Sequence, residues 1–164
     1  MAASEASTTN RTGRHDYTSA IYGSVLAASV VLGAGTTRSP WVLGLILVIS
    51  NAIFWVAHVY AEIVASVQGG WGFAAIGRGL RHEWPLVFAA VPPAVAAVVA
   101  GWLFHARELT AAWAALITAL VELQVWGLAA ARAVPLHGAA LVRTIVLNLA
   151  IGFVVVALKL SLPH

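Results

Sequence analysis

Residues 41–61, WVLGLILVISNAIFWVAHVYA, form the stretch that most constrains this chain, because they contain no Asp, Glu, Lys or Arg. That is the ~20 residues a helix needs to cross ~30 Å of hydrocarbon. Within and just after the stretch, Asn51, His58 and Glu62 recur at spacings of seven and four, which places them on one helical face. Polar groups in hydrocarbon are stable only when they meet partners. The helix therefore needs neighbours, and the remaining sequence is read for them.

Charged residues make up 9% of the chain against 61% hydrophobic, where a soluble domain carries ~25% charged residues. This composition excludes an ordinary soluble domain and predicts an all-α, polytopic integral membrane protein. The formal charge of +3 does not point to nucleic acid. The bases stand singly between apolar runs, where membrane topology accounts for them. Cys is absent, which removes disulfides, thiolate metal sites and cysteine nucleophiles. Arg outnumbering Lys, with abundant Ala, suggests a GC-rich bacterial genome.

Residues 1–16 are polar and rich in Ser and Thr, and read as a disordered tail ahead of a single membrane domain, 17–164. Five spanning helices are expected at about 17–36, 41–67, 84–104, 109–131 and 139–162. The first is longer than a signal-peptide core, and its Ser19, Gly23 and Ala27 make a row of small residues suited to close packing. Between the second and third spans, the sequence GGWGFAAIGRGLRHEWP is too short and Gly-rich to cross. Its Trp71, Phe73 and Ile76 with Arg78 and Arg81 predict a segment lying along the membrane surface. Pro92 and Pro93 interrupt the third span, where they remove backbone donors and kink the helix.

Arg11, Arg14, Arg78, Arg81, Arg132 and Arg143 fall on one side of such a bundle, and Arg38, Arg107 and Lys159 on the other. The positive-inside rule then places the protein in a plasma (inner) membrane with its N-terminus cytoplasmic and its C-terminus outside. At 1.5 Å per residue, His58, Glu62 and Arg143 belong to a rim near the inner boundary. Asn51, Glu122 and Asn148 fall deeper, each on the order of 10–15 Å from that boundary.

Glu122 is the most informative of these, since an acidic group at mid-helix costs ~2.5–3.5 kcal/mol on insertion scales. Its functional reading is a proton or ion pathway, and its structural alternative is a hydrogen bond between helices. His58 and Glu62 share a face one turn apart, but two ligands do not make a metal site, and no His-Glu-x-x-His pattern occurs. His82 and Glu83 adjoin at a boundary, and neighbouring residues on a helix diverge. No nucleophile elbow is present, and the Gly-rich 69–79 stretch has no phosphate-loop Lys. No catalytic residue, metal or cofactor is expected.

Three functions compete. The first is a proton- or ion-conducting channel or transporter using His58, Glu62, Glu122, Asn51, Asn148 and Arg143, with Pro92 and Pro93 as a helix break. The second is a structural or accessory subunit of a membrane complex, and the third a lipid-acting membrane enzyme. The expected partners are the lipid bilayer and a second copy or membrane subunit. The homo-oligomer is expected from small-residue rows such as Ala111, Ala115 and Ala119.

Overall fold

The computed structural model describes residues 2–34, 39–65, 73–103, 108–133 and 138–161; the side chains of 2–16, 73–75, 78, 108 and 140 lie outside that description. The described chain is all helix: α1 Ala2–Ala34, α2 Pro40–Ala65, α3 Phe73–His82, α4 Trp84–Phe88, α5 Val91–Leu103, α6 Glu108–Ala133 and α7 Ala139–Ser161. Five segments are long and apolar enough to cross a membrane: Tyr17–Ala34, Pro40–Ala65, Trp84–Leu103, Leu109–Ala133 and Leu141–Ser161. The short helix α3 stands between the second and third, as the surface segment of the sequence predicts. Helix α1 begins at Ala2, so the polar stretch read as a tail has helical backbone upstream of the span.

Local chemistry explains the helix ends. Ser39 precedes Pro40, and its Oγ accepts the Val42 N–H at 3.4 Å while its carbonyl accepts the Leu43 N–H at 2.9 Å. Proline at the first helical position gives up a donor that has no partner there.

The third span is broken one turn ahead of the point expected from its prolines. The chain turns at Ala89 and Ala90, and Pro92 and Pro93 fall in the first turn of α5. There the missing N–H groups cost little within α5 itself, so the break settles upstream of the ring. The N–H of Ala90 bonds the carbonyl of Val87 at 3.0 Å, a tightened turn. In a regular helix it would bond Leu86. The Leu86 carbonyl is thereby released from the ladder.

Helix α1 packs along α6, α6 against α5, α5 against α2, and α4 against α1, while α7 leans chiefly on α6. The core is built of small and branched side chains: Ala27, Ala28, Val31, Leu43, Leu47, Ala97, Ala112, Ala115, Leu116 and Ala119 are buried. Alanine lets helix backbones approach, which in hydrocarbon is the main source of helix association. The rows Ser19–Gly23–Ala27 and Ala111–Ala115–Ala119 are buried within this single chain. They are therefore accounted for without a second copy, and the ground for expecting a homo-oligomer is removed.

Candidate functional site

At the end of the bundle carrying Tyr17, Ala65 and Trp84, polar side chains from two helices and a bend meet. Glu83, in the bend between α3 and α4, is only 3% exposed. The Ser19 hydroxyl of α1 donates to its Oε2. On the other side, Nε2 of His58 from α2 lies 3.7 Å from the same oxygen, and that imidazole is 43% exposed. This is too long for a direct hydrogen bond but within ion-pair distance. His58 also stacks on Phe54, one turn deeper on α2, with ring centroids 6.3 Å apart. The arrangement is a covered carboxylate with a buried hydroxyl on one side and an exposed imidazole on the other.

The bend explains why Glu83 turns inward. Its backbone leaves helical geometry between α3 and α4, and its carbonyl accepts the Leu86 N–H at 3.1 Å to start the short helix. The divergence expected of neighbouring helical residues therefore applies to His82 and Glu83 in a different sense. Glu83 is buried, and His82 is half-exposed.

Asn51 lies two turns from His58 along α2 and is fully buried. Its Nδ2 donates to the released Leu86 carbonyl at 3.2 Å and to the Gly23 carbonyl at 3.4 Å. One amide thus replaces the ladder bond lost at the break and ties α2 to α1 and α4. The site exists because Gly23 has no side chain. A Cβ there would sit 2.5 Å from the Leu86 oxygen and 2.6 Å from the Ala89 Cβ. Asn51 Oδ1 is buried with no hydrogen-bond partner among the described residues.

The remaining expected residues are placed elsewhere. Glu122 is half-buried, and its Oε1 accepts the Trp126 indole N–H one turn along α6 at 3.4 Å, while its Oε2 is covered and has no partner among the described residues. Trp126 in turn meets Tyr17 of α1, with centroids 6.2 Å apart. Asn148 of α7 lies against α6, where its side chain fills the space in front of Gly127. Its carbonyl accepts Gln124 Nε2 at 3.1 Å. Glu62 and Arg143 are exposed, and Arg143 Nε donates to the Ala139 carbonyl of its own helix at 3.4 Å. Among the described residues no ion pair joins these two. Lys159, counted with the outer bases, is buried near the opposite end of α7.

The structure thus brings together His58 and, two turns inward, Asn51, and leaves Glu62, Glu122, Asn148 and Arg143 in separate surroundings. It adds Ser19 and Glu83, which the sequence reading assigned to packing and to a boundary. A signal for Glu83 was present: an acidic residue directly before Trp84-Pro85 stands where a span begins and regular helix cannot continue. Among the described residues, no group of three or more His, Cys, Asp or Glu side chains is arranged to hold a metal ion. No protein-family model, curated protein or solved structure matches this chain, so its function is read from its own residues.

Proposed function

We propose that this chain is a proton- or ion-handling membrane protein whose working group is Glu83, reached through His58. The observation that carries the reading is a carboxylate 3% exposed at the start of a spanning segment, hydrogen-bonded to Ser19 and facing an exposed imidazole. Imidazole takes up and releases protons near neutral pH. A buried carboxylate beside it can exchange a proton while Ser19 holds one oxygen fixed. Ionisable groups inside a membrane domain are costly and are retained chiefly for such work.

We place this end in the cytoplasm of a bacterial plasma membrane, because Arg81, Arg132 and Arg143 flank the spans there. The experiment is proton flux into proteoliposomes under an imposed potential. Wild type is expected to conduct, Glu83→Gln to fall to the protein-free background, and His58→Ala to slow transfer. Wild-type flux no greater than that of empty liposomes, across pH 5 to 8, contradicts the reading.

A second reading, a structural or accessory subunit of a membrane complex, is favoured by one observation. Beyond Asn51 the core toward the other face is chiefly Ala, Val and Leu, with the buried Lys159 near its end, and the buried or half-buried hydroxyls of Ser24 and Thr118 bond their own helices. In that case no flux is seen, Glu83→Gln lowers thermal stability, and the protein co-purifies with a partner subunit.

A further inference from the structure

Between α2 and the short helices α3 and α4 runs a groove of about 430 Å3, lined by Trp55, Leu80, Arg81 and Trp84. Its walls are aromatic. Trp55 and Trp84 meet edge to face with centroids 5.6 Å apart, and Trp84 meets Phe88 the same way at 5.3 Å. Trp84 remains 47% exposed. Its rim is cationic: Arg81, in the last turn of α3, is exposed, and no carboxylate pairs with it among the described residues. The adjacent acid, Glu83, is turned inward onto Ser19 and His58 and leaves the Arg81 charge uncompensated.

The position decides what such a groove takes. Trp84 opens the third spanning segment, so the aromatic wall starts at the membrane boundary and continues toward the hydrocarbon. Arg81 precedes it by three residues and belongs at headgroup level. An occupant must therefore be anionic at one end and apolar at the other. The volume is that of small-ligand pockets, ~300–1,000 Å3, and matches a headgroup with the upper part of one chain.

We propose that this groove binds an anionic phospholipid of the surrounding bilayer, with the phosphate on Arg81 and the chain laid across Trp55 and Trp84. Guanidinium recognises phosphate through paired N–H donors, and the tryptophans supply the apolar track. The proposal is independent of proton transfer at Glu83.

Native mass spectrometry of the full chain, released from detergent carrying equal dioleoylphosphatidylglycerol and dioleoylphosphatidylcholine, tests it. Wild type is expected to retain phosphatidylglycerol in preference. Arg81→Gln should lower that retention on the order of fivefold, to the phosphatidylcholine level, as loss of one interfacial base predicts. Arg81→Lys should keep part of the preference, and Arg132→Gln, which removes an exposed base on α6, should keep all of it. Equal retention of both lipids by wild type overturns the proposal. So does a preference that survives Arg81→Gln, or one lost equally in Arg132→Gln.

Discussion

Two polar regions of this bundle are built from similar residues to different ends. Around α1, α2 and α4, Ser19, Asn51, His58 and Glu83 reach across helices, and all but His58 are buried. Around α6 and α7, Glu122 bonds Trp126 of its own helix, and Asn148 rests on Gly127. The packing differs in the same sense: 39% of the α1 spanning window is buried within the chain, against 11% for α7. Each region sets an asparagine against a glycine, but only Asn51 restores backbone hydrogen bonding at a helix break. The lesson is that a polar residue in a membrane helix gains its role from the backbone facing it. Its depth in the sequence does not decide that role.

Substitution should separate the two regions, and the largest effect is expected at Gly23. Gly23→Ala drives a methyl into the Leu86 backbone carbonyl and the Ala89 Cβ, neither of which is the far end of a flexible side chain. Overpacking of this kind costs about 1–3 kcal/mol, read as a lowered unfolding midpoint in detergent. Asn51→Leu comes next. It leaves the Leu86 and Gly23 carbonyls without their donor, for a loss of ~1–2 kcal/mol by the same assay. Gly127→Ala, the counterpart on α6, is expected to cost under ~1 kcal/mol, because it meets the Asn148 side chain on the lightly packed α7. If Gly127→Ala proves as damaging as Gly23→Ala, the contrast between the regions fails. Glu122→Gln should have the smallest effect, within ~0.5 kcal/mol, since the amide oxygen can still accept from Trp126.

The spans, the surface segment and the packing rows were legible in the sequence, because length without charge and small residues at helical spacing are one-dimensional signals. Ser19–Gly23–Ala27 is an instance: the row is buried as its spacing requires. His58 and Asn51 were legible as polar residues on an apolar helix. Glu83 was signalled only by the Trp84-Pro85 that follows it, because its burial depends on a bend between α3 and α4 that no periodicity announces. The position of the break was not legible, since Pro92 and Pro93 remove donors whose loss is taken up at Ala89 and Ala90. Glu122 illustrates the converse. Its place within the span follows from the rise of a helix, but its partner on the same helix is a matter of rotamer.

The central proposal is that the carboxylate through which this protein handles protons is Glu83, held by Ser19 and facing His58. Infrared difference spectroscopy in liposomes, stepping the pH from alkaline to acid, observes it directly through the carboxyl C=O band. The account predicts a band that vanishes in Glu83→Gln, moves to higher frequency in Ser19→Ala as a hydrogen bond is lost, and persists in Glu122→Gln. A band that survives Glu83→Gln and vanishes in Glu122→Gln contradicts it.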